Sequence, residues 1–193
     1  VSWDPYLDLR SGVLHNRLGI TDRAALAAAE ADLSAVRIAQ LMRRPLPGRY
    51  DLGHLRAFHG HVFGDVYAWA GEIRTVSLGK GHLFCLPERI EATAEEIFGG
   101  LARTDRLRGL PRADFVGALA DLLGAINSLH PFREGNGRTQ RAFVTQLAAD
   151  AGHRVRWAAM DRAGNAAASR AAHQGDTGPL RTMIDGLVDP LGR

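Results

Sequence analysis

The stretch from residue 114 to residue 141 constrains this chain most: a long apolar helical pattern is cut by a proline and resumes beyond a Gly-Asn-Gly turn. Phe115, Leu119, Leu122, Leu123, Ile126 and Leu129 recur at helical spacing, which predicts a buried helix over 114–129. Pro131 disfavours the α region for the residue before it, so that helix stops at His130. Gly135 and Gly137 then permit positive φ and close approach of the backbone to a ligand.

A second helix starting about Asn136 or Gly137 turns its unpaired amides and positive dipole end into this turn, which makes an anion-binding nest. Arg138 and Arg141 are three residues apart and are expected on one helix face, where two guanidinium forks suit phosphate oxygens. Glu134 would face those phosphates as an uncompensated anion, and Mg²⁺ held by one carboxylate plus phosphates and waters resolves the conflict. Taken singly, each residue has a bland reading: a helix-end histidine favoured by the dipole, or arginines on a solvated face. Their fixed order satisfies one mechanism, the binding of a metal-held polyphosphate beside a base.

The run His130 to Arg141, HPFREGNGRTQR, resembles the Fic-family motif HxFx(D/E)GNGRxxR at every defined position. The resemblance implies transfer of AMP from ATP to a Ser, Thr or Tyr hydroxyl of a protein target. Under it, His130 is the general base, Phe132 anchors the loop in the core, and Glu134 holds Mg²⁺. Gly135, Asn136 and Gly137 cradle the phosphates, with Asn136 near the α-phosphate, while Arg138 and Arg141 bind the outer phosphates. Pro131 and Arg133 receive no chemistry.

Upstream, DVYAWAGEIRT (65–75) resembles the segment that leads into the family's β-hairpin flap. Val76 to Phe84 alternates apolar residues around a Gly-x-Gly turn and by itself reads as a short hairpin. Val76, Ser77, Leu78, Gly79 and Lys80 would form its target-docking edge, since main-chain pairing binds an extended segment without demanding one sequence. The opening residues, Asp4-Pro5-Tyr6 through Leu18-Gly19-Ile20, resemble the N-terminus of small bacterial toxin-type Fic proteins. Such proteins are commonly inhibited by a helix bearing (S/T)xxxE(G/N), whose glutamate pairs with the second motif arginine, here Arg141. Glu134 is the one Glu followed by Gly or Asn, and His130 stands four residues earlier, so the resemblance favours a separate small antitoxin. It also implies bacterial type II topoisomerases, gyrase and topoisomerase IV, as targets.

The fold expected is all-α: a mainly helical bundle carrying a short β-hairpin flap, in a single domain over 1–193, with the flap at about 73–85 and the active-site loop at 130–141. Thr21 or Asp22 caps a first helix with Leu26, Ala29, Leu33, Val36 and Leu41 inward. Leu52 to Phe63 marks a second, broken near Gly64 and carried on toward Trp69. Pro87 opens a third with Ile90, Ala94, Ile97 and Leu101 inward. Arg138 to Ala151, stopped by Gly152, follows the motif, and segments about 158–172 and 179–188 close the bundle, the alanine-rich first of them loosely packed.

At 193 residues and 46% hydrophobic content the chain can bury a core without staples. Cys85 is the single cysteine, no window reads as a membrane span or signal peptide, and a bacterial cytoplasmic location is expected. A net charge of +3, with Lys80 the sole lysine, gives no clustered basic surface, so direct nucleic-acid binding is not expected. His54, His59 and His61 suggest a metal hydrolase, but His59 leaves the 54/58/61 stripe and no HExxH or cysteine completes a shell. Two rivals remain: phosphate transfer by a Fic relative that binds the nucleotide in reverse, and a non-catalytic nucleotide-binding regulatory module.

Overall fold

A computed structural model describes residues 4–79 and 81–191. Its helices are α1 (Arg23–Arg43), α2 (Leu52–Phe63), α3 (Ile90–Arg103), α4 (Arg112–Leu129), α5 (Asn136–Asp150), α6 (Arg162–His173) and α7 (Gly178–Leu187). Two short strands, β1 (His153–Val155) and β2 (Val188–Pro190), pair antiparallel, with Val155 opposite Val188. The chain is mainly helical, as its periodicity requires.

α4 is the centre of the bundle and packs against α3, α5, α6 and α7. Phe115, Leu119, Ile126 and Leu129 are at most 3% exposed, and each contributes about 1.5–3 kcal/mol by leaving water. The helix ends where Pro131 demands it: His130 caps it in the left-handed region, φ 45° and ψ 59°. α5 runs back alongside and buries Phe143, Val144 and Leu147. These two helices hold the loop 130–135 between their ends.

The α1 expectation needs correction. Asp22 does cap the helix, accepting from the Ala25 amide, and Leu26 and Leu41 are buried. Val36, however, is 58% exposed, and the buried face carries Glu30 and Ser34 instead. Hydrophobic spacing misled here because buried polar groups are tolerated when fully paired, and both find partners on α5. In α3 Ile90, Ala94 and Leu101 are buried as expected, Phe98 joins them, and Ile97 is only partly buried. α2 ends at Phe63 and gives way to turns, so no helix continues to Trp69.

The segment expected to be the hairpin forms a tight turn with one antiparallel bridge, Gly79 to Leu83, and a Phe84 amide bond to the Leu78 carbonyl at 3.0 Å. Lys80 lies outside the described residues. The β1–β2 pair, which periodicity did not reveal, ties the end of α5 to the C-terminal helices. No helix among the described residues is long and apolar enough to cross a membrane.

Candidate active site

Local chemistry builds the loop first. Gly135 has φ 78°, and a Cβ there would come within 2.3 Å of the Phe63 ring, so both backbone and space require glycine. Gly137 differs from its expectation: it sits at ordinary helical φ in the first turn of α5, and its bare face lies beneath Arg141. The Asn136 side chain accepts from the Phe132 amide at 3.0 Å and donates to the Phe132 carbonyl at 2.7 Å. That closes the loop on itself and spends the amide group locally. No side chain among the described residues caps the start of α5, so its first-turn amides face outward as donors.

Phe132 is buried and stacks on His59, centroids 3.9 Å apart. His59 Nδ1 accepts from the Gly71 amide at 2.7 Å, which puts the proton on Nε2, and Nε2 donates to the Glu134 carbonyl at 3.0 Å. Burial lowers the pKa of this histidine to about 4. His54 and His61 bind backbone carbonyls of Leu46 and Arg37, and no group of three metal-ligating side chains exists among the described residues. The histidine cluster is therefore scaffold, and His59 in particular props the motif loop from behind.

A second support was invisible in the sequence. Arg74 is 1% exposed and donates from Nε to the His130 carbonyl at 2.7 Å, from Nη1 to the Val76 carbonyl at 2.6 Å, and from Nη2 to the Cys85 carbonyl. Its own amide donates to the Pro131 carbonyl at 2.9 Å. One guanidinium thus joins both arms of the flap to the end of α4. Phe84 then lies over the His130 ring, and His82 stacks on His173 of α6.

These elements enclose a cavity of about 380 Å³. His130, Glu134, Asn136, Gly137 and Arg141 line it, so five of the predicted site residues converge on one space. Gln140 of α5, and Asn165, Ser169 and Arg170 of α6, line it too. The sequence reading missed α6 because Asn, Ser and Arg scattered among alanines have no motif. His130 Nδ1 faces the Asn127 carbonyl at 3.3 Å; a carbonyl only accepts, so Nδ1 carries the proton and Nε2 is the basic nitrogen. Arg141 has no ion-pair partner among the described residues, and burial together with Arg138 and Arg162 lowers its pKa. Such a half-buried positive field suits an anion of high charge.

Arg138 is placed differently from Arg141. Its Nη1 donates to Ser34 Oγ at 3.0 Å and its Nη2 to Glu30, with the guanidinium 4.8 Å above the Phe63 ring. Arg133, given no role from sequence, binds Asp4 at 2.7 Å and fastens the N-terminal segment to the loop. Glu134 Oε1 accepts from the Gly135 amide at 2.8 Å, which leaves its other oxygen for a ligand in the cavity. Among the described residues no other acidic side chain lines that space, and the donor set fits a cation that takes one carboxylate and completes its shell with phosphate oxygens and water.

Comparisons with known proteins agree with this architecture. Protein adenylyltransferase VbhT of Bartonella schoenbuchensis is 40% identical over 94% of this chain, which spans 38% of that protein. Probable protein adenylyltransferase y4lH of Sinorhizobium fredii is 38% identical over 96% of both chains. The BepC effector of Bartonella tribocorum, solved with bound AMPPNP, superposes with a TM-score of 0.90 at 25% identity over 96% of each chain. A Bartonella quintana effector Fic domain with bound ADP gives 0.90 at 26% identity, covering 96% of this chain and 94% of its own. Residues 49–148 match the sequence profile of the Fic/DOC family, and this chain belongs to that family.

Proposed function

We propose that this chain is a protein adenylyltransferase that moves AMP from ATP to a hydroxyl of a protein target. The observation that carries the reading is the convergence of a basic His130 Nε2, the uncapped start of α5, Glu134 and Arg141 on one cavity. Relatives named protein adenylyltransferase and related Fic domains solved with AMPPNP or ADP support ATP as the substrate.

In this reading His130 takes the proton of the target hydroxyl as its oxygen bonds to the α-phosphorus. The bond between the α-phosphorus and its bridging oxygen to the β-phosphate breaks, and pyrophosphate leaves. The Gly135 amide is engaged by Glu134, so the amides of Asn136 and Gly137 at the start of α5 hold the phosphates, and Arg141 neutralises the outer ones, with Arg138 assisting from the α1 side. Glu134 would hold Mg²⁺, which when bound would neutralise phosphate charge. Main chain at Val76, Ser77, Leu78 and Gly79 docks an extended target segment; Ser77 and Gly79 are exposed. Bacterial type II topoisomerases are the targets proposed from the family resemblance, in a toxin whose partner is a small (S/T)xxxE(G/N) antitoxin. Co-expression of such an antitoxin is expected to suppress transfer.

ATP labelled at the α or the γ position, incubated with the protein and a bacterial lysate, tests the reaction. The α-label is expected on protein, and His130→Ala is expected to remove it while nucleotide binding persists, the loss being about 10²–10⁴-fold in rate. Transfer of γ-label indicates the phosphotransferase instead, and transfer of neither label indicates the regulatory module.

A further inference from the structure

We propose that Glu30, with Tyr67 and Ser34, is a positioning residue that sets Arg138 for the nucleotide. Glu30 stands in the middle of α1, 108 residues from Arg138 in sequence, and is 7% exposed. A buried carboxylate requires partners. One of its oxygens accepts from Arg138 Nη2 and the other from the Tyr67 hydroxyl, so both are occupied within the protein. Burial and the adjacent Glu30 push the Tyr67 phenol well above its ordinary pKa, so the hydroxyl stays protonated and keeps donating.

The same contacts hold Arg138 towards α1, outside the set of residues that line the cavity but next in sequence to Gly137, which does line it. A guanidinium has five N–H groups. Ser34 and Glu30 take one each, on the α1 side, and the side chain keeps 26% of its surface exposed. Phe63 lies beneath the plane, and the ring of Phe63 also fills the space that a Gly135 side chain would need. The charge network therefore fixes the azimuth of Arg138 at the first turn of α5, next to Gly137, and leaves its remaining donors to a phosphate. Lysine could not replace this arginine, because a point charge has no fork to share between carboxylate and phosphate.

The inference rests on the adenylyl-transfer reading, and its test separates the two. Steady-state kinetics with ATP and a double-mutant cycle of Glu30→Gln and Arg138→Ala are read by KM and by AMPPNP affinity in calorimetry. Glu30→Gln is expected to raise KM and to weaken AMPPNP binding by about ten-fold, the scale of one charged hydrogen bond lost, with kcat less affected. In the Arg138→Ala background the same change is expected to have no further effect, because Glu30 acts through that arginine. Equal losses in both backgrounds, or AMPPNP binding by Glu30→Gln equal to the unaltered protein, overturn the proposal. Should Glu30→Gln fail to fold, Tyr67→Phe removes one of the carboxylate's anchors more gently. It is then expected to weaken AMPPNP binding a few-fold, and unchanged binding overturns the proposal. Failure of the unaltered protein to transfer α-label overturns the enzymatic reading alone, since AMPPNP affinity still reports on Arg138.

Discussion

Phe84 lies flat against His130, ring centroids 3.7 Å apart and planes 6° from parallel. The flap residue is thus one wall of the base's own surroundings, while Arg74 ties the His130 carbonyl to the carbonyls of Val76 and Cys85 at the base of the flap. In the proposed reaction this pair would join target docking to proton transfer mechanically.

Phe84→Ala is expected to lower kcat about ten-fold and leave the KM for ATP within about two-fold, because the ring restrains the imidazole and not the phosphates. Phe84→Tyr retains the stack and is expected to retain most of the rate. Single-turnover transfer of α-label measures both; an alanine variant as fast as the unaltered protein refutes the coupling.

Glu134→Ala is expected to abolish the dependence of activity on added Mg²⁺ together with most of the activity, without loss of the fold. Its carboxylate reaches into the cavity and makes one local bond to the Gly135 amide, so the core does not depend on it. Thermal unfolding should shift by no more than about 1 kcal/mol of stability, the size of one such hydrogen bond. Activity that survives a chelator contradicts the metal assignment.

Gly135→Ala is expected to be among the most damaging single-methyl changes in the chain. A left-handed non-glycine residue costs about 1–2 kcal/mol, and the new Cβ would collide with the buried Phe63 ring, adding a further ~1–3 kcal/mol. Urea unfolding reads the loss. Gly152→Ala, also at positive φ but with open space around it, is expected to show the backbone cost alone.

His59 makes stability depend on pH. Its folded pKa is about 4 against 6.5 unfolded, so between these values the unfolded chain binds the extra proton and stability rises with pH. The contribution is fully present above pH 6.5 and is lost as pH falls toward 4, amounting to roughly 3 kcal/mol. Burial lowers His54, His82 and His153 in the same direction, so they add to the same slope. His59→Gln is expected to be less stable at pH 7 and to lose less on acidification; urea midpoints from pH 7 to 4.5 test this. An unchanged pH slope contradicts the burial argument.

The sequence by itself determined the parts that depend on neighbours along the chain. Pro131 stopped α4, Gly135 made the turn, and the His-to-Arg run fixed which side chains meet at the junction of α4 and α5, because all lie within a few residues of one another. The tertiary structure alone decided the supports. Glu30 reaches Arg138 across 108 residues, His59 reaches the Glu134 carbonyl across 75, and Arg74 reaches the His130 carbonyl across 56. Each is a buried polar group, which hydrophobic spacing treats as a solvent-facing position; only the folded chain supplies the distant partner that makes its burial favourable. The α6 wall of the cavity was hidden for a related reason: Asn165, Ser169 and Arg170 acquire meaning only from the packing of α6 on α4 that brings them opposite His130.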